Sequence, residues 1–157
     1  IGDERFLPAG HKDRNDQTIN KIWLNNSTIP KKNIHFIKAE LGLLEARAEY
    51  EDTLKRIDKF DVVLLSMGED GHIASLFPNH LYSEEQMVVV ERNSPKLPKE
   101  RVSMSYKRLN RAHYIFKLII GESKQKAVTL LKQNANLPIT RVNGDFEKKY
   151  FCKSAIL

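Results

Sequence analysis

The sequence predicts an α/β fold in three layers: a mostly parallel, Rossmann-like sheet with helices on both faces. Residues 62–65 (VVLL) form a short apolar run without polar alternation, a pattern typical of a strand buried on both faces. A helical pattern precedes this run, and strand-like and helix-like segments alternate along the rest of the chain. With 157 residues, of which 41% are hydrophobic, we expect a single domain over residues 1–157.

Composition argues against several other classes of protein. No apolar run approaches the ~20 residues of a membrane-spanning helix, and no signal peptide is visible, so we expect a cytoplasmic location and no membrane partner. The single cysteine, Cys152, excludes an internal disulfide. The five histidines show no His-x-x-x-His spacing, so we expect no metal site.

The chain is basic, with a formal net charge of +6. Nucleic acid is one explanation, but the basic residues form pairs such as Lys31-Lys32 rather than tracts, and acids lie between them. We therefore expect no nucleic-acid partner. A mildly basic surface would instead favour the approach of small anionic substrates.

Apolar periodicity defines the remaining elements in chain order. After a charged start and a polar loop, helical spacing is found at Ile19, Ile22 and Trp23, and the clearest amphipathic helix covers residues 42–59. Residues 34–37 predict a short strand or an extended linker. Later strands are predicted at 87–90, 102–105 and 114–120, with a short helix at 107–111 and a longer one at 124–133.

The loop after the apolar run 62–65 carries the clearest chemistry. Gly68 and Gly71 permit backbone conformations closed to other residues, and the acid Asp70 and the imidazole of His72 lie beside them. Ligands of open α/β sheets bind beyond the carboxyl ends of the strands, where this loop should lie. Asp-Gly is also a common turn dipeptide, and a lone histidine is more often structural, so the loop alone leaves both interpretations open.

The continuation of this loop decides between them. Residues 66–78, SMGEDGHIASLFP, resemble the signature of the 6-phosphogluconolactonase family. The G-D-E-R segment at residues 2–5 and the S-P-K-x-P-x-x-R pattern at residues 94–101 resemble the same family. Its members carry roughly another βαβ unit before the G-D-E-R segment, with a loop that helps to hold the substrate phosphate. We therefore expect these residues to match the later two-thirds of a domain. Its N-terminal βαβ part is either missing from the numbering or truncated, and the sequence leaves both alternatives open.

The resemblance implies hydrolysis of a sugar-phosphate δ-lactone in the oxidative pentose phosphate pathway. His72 would take a proton from the attacking water and return it to the ring oxygen, since histidine titrates near neutral pH. Asp70 would orient the imidazole or stabilise its charged form. Backbone N–H groups of the loop between Gly68 and Gly71, or Arg5, would stabilise the oxyanion. No metal or organic cofactor is expected, because an activated ester needs neither.

Further residues are expected to bind the substrate. Arg101 and Lys124 are the predicted phosphate ligands, because a guanidinium fork gives geometry and an ammonium gives charge. Gly-x-x-Lys after a strand is a weak motif by itself, so it is the resemblance that selects Lys124. Asp3 would hold Arg5 or a sugar hydroxyl. Asn15 is expected either to contact the ligand or to cap a helix.

Two alternatives remain open at this point. Glucosamine-6-phosphate deaminases share the D-G-H-I-A core, but they carry a glutamate before the proline where this chain has Phe77, and an aromatic residue where it has Arg5. A homologue that binds sugar phosphates without catalysis is the second alternative. The expected partner is a small sugar-phosphate lactone, and the expected state is a monomer or a small homo-oligomer.

Overall fold

A computed structural model describes residues 1–155 as six strands, four α-helices and short 3₁₀ turns. The strands are β1 Asp3–Arg5, β2 Phe60–Ser66, β3 Val88–Glu91, β4 Arg101–Met104, β5 Ala112–Ile119 and β6 Phe146–Phe151. The helices are α1 Asn15–Ile22, α2 Leu43–Lys55, α3 Tyr106–Leu109 and α4 Gln125–Lys132. The 3₁₀ turns are Leu24–Asn26, Lys31–Asn33, Ala39–Leu41, Glu122–Lys124, Pro138–Arg141 and Lys153–Ala155.

The predicted parallel sheet is confirmed and has the strand order β2-β5-β6. Val63 lies beside Ile115 in the register of β2 and β5, and Ile115 lies beside Glu147 of β6. Because parallel strands end at the same edge, the loops that follow β2 and β5 emerge next to each other. This edge places residues 67–72 and the Glu122–Lys124 turn on one side of the molecule.

Only one face of this sheet belongs to the core. Leu65, Ile115 and Ile119 are buried with the apolar residues of α2 and α4. The opposite face exposes Val62, Leu64 (63% exposed), Tyr114, Phe146 and Tyr150. The prediction that residues 62–65 are buried on both faces is therefore wrong for the described residues. The predicted α/β class itself is confirmed, because residues 1–155 combine a parallel sheet with helices.

The other three strands form a separate antiparallel sheet, in the order β1-β4-β3. Asp3 pairs with Ser103 and Arg5 with Arg101 along β1 and β4, while Glu91 of β3 pairs with Arg101 from the other side. All four residues of β4 are buried, although residues 102–105 alternate in polarity as a half-buried strand would. The central strand of this sheet, β4, therefore carries buried polar side chains, those of Arg101 and Ser103.

Three local predictions need correction. The helix α2 ends at Lys55, because Arg56 and the residues after it leave the helix before β2 begins at Phe60. Residues 34–37 form no strand, and the extended-linker alternative describes them better. A 3₁₀ turn, Glu122–Lys124, precedes α4, so Lys124 lies before the helix and not within it. No helix among residues 1–155 combines the length and hydropathy needed to cross a membrane.

Candidate active site

His72 is braced by Asp70 in the loop that follows β2. The Asp70 Oδ1 atom accepts a hydrogen bond from the backbone N–H of His72 (3.1 Å) and lies 2.5 Å from its Nδ1 atom. Burial raises the pKa of Asp70, but its hydrogen bonds with His72 outweigh burial and lower that pKa to about 2. A carboxylate only accepts, so this contact requires a proton on Nδ1 and leaves Nε2 of a neutral imidazole as the acceptor.

Gly68 lies directly against the imidazole ring. A Cβ atom added at Gly68 would lie 2.0 Å from both Cε1 and Nδ1 of His72, a distance that atoms do not reach. Gly71 serves the loop differently, because its φ of +89° favours glycine. Any side chain at 68 would therefore displace the histidine, whereas one at 71 would strain the backbone.

The backbone N–H groups of these glycines are already used within the loop. The Gly68 N–H donates to the His72 carbonyl (2.8 Å), and the Gly71 N–H donates to the Gly68 carbonyl (3.1 Å). Neither group is left over for an oxyanion in this conformation. The amides of Gly68 and Gly71 are therefore taken, and Arg5 stays a predicted oxyanion donor.

Asp3 and Arg5 project from β1 and have different partners. The Asp3 carboxylate accepts hydrogen bonds from the Ser75 hydroxyl (2.6 Å) and from the Asn15 side-chain amide (3.3 Å). Arg5 donates from Nη1 to the Asp13 carbonyl, and no ion pair joins it to Asp3 within residues 1–155. The partners that hold Asp3 are therefore Ser75 and Asn15.

A buried charge network fixes β1 against α1. Glu4 accepts the backbone N–H groups of Arg5, Asn15 and Asp16 at 2.8–2.9 Å, and burial raises its pKa against these bonds. Arg14 donates to Asp16 (2.9 Å), to Glu40 (2.7 Å) and to backbone carbonyls of residues 7 and 37. The N-cap position of α1 is Arg14, so Asn15 does not cap the helix; its side chain bonds Asp3 instead.

The predicted phosphate ligands approach from two other elements. Arg101 is buried on β4, where Nε donates to the Pro98 carbonyl (3.1 Å) and Nη2 to the Lys96 carbonyl (3.2 Å). Burial lowers the pKa of Arg101 from its ordinary value. Lys124 ends the turn after β5, and no described side chain forms an ion pair with it.

One cavity of about 440 Å³ brings most of these residues together. Its lining includes six of the eight predicted site residues: Asp3, Arg5, Gly68, His72, Arg101 and Lys124. Asp70 and Gly71 do not line it but shape the loop behind His72. A larger, mostly apolar cavity of about 620 Å³ between α4 and β6 contains none of the predicted residues.

Sequence reasoning missed four residues that build this site. Lys96 lines the cavity and pairs with Glu69 at 2.8 Å. Ser75 holds Asp3, and Glu4 and Arg14 hold β1 in place. Lys96, Ser75 and Glu4 lie inside the motifs already recognised, so their positions were a usable signal. Arg14 gave none, because only its burial reveals its role. Among residues 1–155, no group of three or more His, Cys, Asp or Glu is placed to hold a metal ion.

The chain is similar to known proteins of one family. The family model described as glucosamine-6-phosphate isomerases/6-phosphogluconolactonase matches residues 1–151. The 6-phosphogluconolactonase of Thermotoga maritima is 30% identical over 96% of this chain and 69% of its own length. Chloroplastic 6-phosphogluconolactonase 3 of Arabidopsis thaliana is 35% identical over 87% of this chain, which spans only 47% of that relative.

Solved structures show the same fold. The crystal structure of the Thermotoga maritima 6-phosphogluconolactonase has a TM-score of 0.86, with 96% of this chain and 69% of that chain covered at 29% identity. A monomeric glucosamine-6-phosphate deaminase has a TM-score of 0.82 over 98% of this chain and 71% of its own, at 21% identity, which supports the fold alone. The chain belongs to the glucosamine-6-phosphate isomerase/6-phosphogluconolactonase family.

Proposed function

We propose that this chain hydrolyses 6-phosphoglucono-δ-lactone to 6-phosphogluconate, as a metal-independent carboxylic ester hydrolase of the oxidative pentose phosphate pathway. The observation that carries the proposal is a carboxylate-braced imidazole, His72, in a cavity that also holds Arg5, Arg101 and Lys124. The similarity to 6-phosphogluconolactonases at 30% identity and above supports it.

The reaction needs a base, an oxyanion partner and an acid. His72 Nε2 takes a proton from water as the water oxygen attacks the lactone carbonyl carbon. The imidazolium that forms is stabilised by Asp70, whose low pKa keeps it ionised. As the tetrahedral intermediate collapses, the bond to the ring oxygen breaks, and His72 returns the proton to that oxygen. Arg5 faces the same cavity and carries the charge that stabilises the oxyanion.

The cations at the cavity suit a dianionic phosphate. Lys124 offers an ammonium with no described ion-pair partner, and Arg101 offers a guanidinium held in one orientation by the loop at residues 96–98. Lys96 also lines the cavity and adds a further positive charge, partly offset by Glu69. This arrangement favours a phosphorylated lactone over the free sugar lactone, because charge-assisted hydrogen bonds are the strong ones.

The chemistry of the deaminase branch fits these residues less well. A proton relay would need an acid at residue 77, and the Phe77 ring instead packs against His72 with ring centroids 4.7 Å apart. Phe77 cannot transfer a proton, so the Asp70–His72 pair has no third member on that side. The pair is sufficient for the hydrolysis of a lactone.

The test is the rate of 6-phosphogluconolactone hydrolysis above the spontaneous rate, for the wild type and for His72→Ala. We expect His72→Ala to lose roughly 100-fold or more, the range of general acid–base catalysis. His113→Ala is the matched control, since this exposed histidine pairs with Asp145 away from the cavity and should keep full activity. Wild-type activity that survives in His72→Ala would refute the proposed base.

Two further outcomes would reassign the chain. Ammonia release from glucosamine 6-phosphate would place it in the deaminase branch of the family. Binding of 6-phosphogluconate without turnover of either substrate would make it a non-catalytic sugar-phosphate-binding homologue. A cytoplasmic location, a monomeric or small homo-oligomeric state and the absence of a nucleic-acid partner stay predictions.

A further inference from the structure

A buried carboxylate lies outside the cavity, behind the loop that follows β2 and carries His72. Glu91, on β3, is only 4% exposed. Its Oε2 atom lies 2.6 Å from the Tyr82 hydroxyl and 2.7 Å from Nδ1 of His80, and its Oε1 atom accepts the backbone N–H of Asn93 at 2.5 Å. Both oxygens are thus engaged, and nothing in the proposed reaction uses this residue.

Tyr82 connects this carboxylate to the main chain of the loop that carries His72. The backbone N–H of Phe77 donates to the Tyr82 hydroxyl at 2.9 Å. The hydroxyl has a single hydrogen, and Glu91 at 2.6 Å is a nearer and charged acceptor than the Ser75 carbonyl at 3.2 Å. Burial, followed by the bond to Glu91, raises the pKa of Tyr82, so the hydroxyl keeps this hydrogen.

The residue fixed in this way touches two groups of the proposed reaction. The buried ring of Phe77 packs against the His72 imidazole with centroids 4.7 Å apart and an interplanar angle of 43°. The Arg101 guanidinium lies 5.7 Å from the centroid of the same ring. The ring centroid of His80 lies 5.8 Å from that of Phe77. Phe77 is therefore a spacer between the proposed base and a proposed phosphate ligand.

The two halves of the loop are anchored separately. Ser75 bonds Asp3 through its hydroxyl and Ser103 through its backbone N–H, which ties the first half to β1 and β4. The second half, which contains Phe77, is tied to β3 through Glu91. One link runs through the Tyr82 hydroxyl, and a second runs through His80, whose Nδ1 lies 2.7 Å from Glu91 and whose backbone N–H donates to the Phe77 carbonyl at 3.4 Å. Loss of the Tyr82 hydroxyl or of the Glu91 carboxylate would loosen the Phe77 ring beside His72, while Ser75 still holds Asp3 in place.

We infer that Tyr82 and Glu91 are positioning residues, which hold the Phe77 ring so that the His72 imidazole keeps its reactive orientation. The inference rests on the proposed lactonase function for its kinetic consequence. Its geometric content does not depend on that function, because it concerns how one ring is placed against another.

Tyr82→Phe is the sharpest test, since it removes the hydroxyl and leaves the ring. We expect kcat per folded molecule to fall about tenfold, because a displacement of less than an ångström at a catalytic group already costs rate. Glu91→Gln should lower kcat in the same direction by replacing one of the two acceptor oxygens with a donor. A purely structural role would change the folded fraction and leave kcat per folded molecule alone.

Tyr106→Phe is the matched control. Tyr106 is a partly buried neighbour whose ring centroid lies 6.2 Å from that of Tyr82, and its own hydroxyl takes no part in the Glu91 contacts. We expect its kcat to stay at the wild-type value. An unchanged kcat in Tyr82→Phe, or an equal fall in Tyr106→Phe, would overturn the inference.

A second measurement separates this inference from the proposed function. The NMR signal of the His72 ring hydrogen on Cε1 should shift in Tyr82→Phe and Glu91→Gln, because Phe77 is the aromatic ring beside it. It should not shift in Tyr106→Phe. If the wild type hydrolyses no lactone, the proposed function fails while a shifted His72 signal still supports the positioning role. A signal that stays unmoved in Tyr82→Phe refutes the role whatever the activity.

Discussion

The antiparallel sheet β1–β4–β3 and the parallel sheet β2–β5–β6 border the same cavity, but their interiors are stabilised differently. The antiparallel sheet buries charged and hydroxyl groups, among them Glu4, Glu91, Arg101 and Ser103. The parallel sheet buries mainly aliphatic groups on one face, with Lys117 paired to Glu147 as its buried charge, and exposes aromatic groups on the other. Asp3, Arg5 and Arg101 come from the first sheet, and His72 and Lys124 from loops of the second.

This difference separates two requirements of the site. Groups that bind a charged substrate must stay charged and in place, and buried hydrogen-bond networks provide that rigidity at a high cost if one partner is lost. The histidine loop depends instead on backbone shape, through the glycines at 68 and 71. Stability in the first sheet should therefore respond most to lost charges, and stability in the second to lost volume.

The largest effect is expected for Arg14→Ala beside the antiparallel sheet. Removing this buried cation leaves Glu4 and Asp16 without their positive partner, so the free energy of unfolding should fall by about 3–5 kcal/mol. Arg92→Ala is the control, because its exposed pair with Glu100 should contribute at most about 1 kcal/mol. Urea denaturation measures both free energies of unfolding. Equal losses in the two variants would contradict the idea that the buried ion pairs of Arg14 matter more than the exposed pair of Arg92.

A smaller effect is expected in the parallel sheet, where adjacent residues of β5 face opposite ways. Ile115→Ala removes a fully buried side chain and should cost about 2–5 kcal/mol of unfolding free energy. Tyr114→Ala, on the exposed face, should cost less than about 1 kcal/mol, since surface substitutions rarely cost more. Similar losses for the two variants in urea would mean that the exposed face is covered in solution.

The smallest effect concerns how the free energy of unfolding depends on Asp70 at acid pH. Because the pKa of Asp70 is lowered to about 2 in the folded chain, its carboxylate stabilises the fold above the ordinary value near 4. This contribution is lost as the pH falls from about 4 through about 2. The difference in unfolding free energy between wild type and Asp70→Asn should therefore shrink over that window. A difference that stays constant down to pH 2 would contradict the lowered pKa.

The sequence predicted what depends on local pattern. The helix α2, the strand before Gly68 and the loop that presents His72 all follow from apolar periodicity and glycine placement within about twenty residues. The motifs likewise predicted six of the residues that line the cavity.

The rest depends on contacts between distant segments. The pairing of Asp3 with Ser103 joins residues a hundred positions apart, and no short window contains it. Arg14 gave no signal in the sequence, because its role comes from Glu4, Asp16 and Glu40, which meet only in the folded chain. The exposure of Leu64 depends on what packs against the sheet, and an apolar run alone does not contain that information.

The contact between Gly68 and His72 also orders the changes that the chain can accept over evolutionary time. Alanine at 68 clashes with the imidazole, so under the proposed function it would remove the activity while His72 itself remains in the sequence. The three atoms nearest to that Cβ all belong to His72, so this clash disappears once His72 has become a small residue. A descendant that carries alanine at 68 is thus expected to have lost its histidine at 72 first. Alanine at this position would therefore mark lineages in which the proposed activity has been lost.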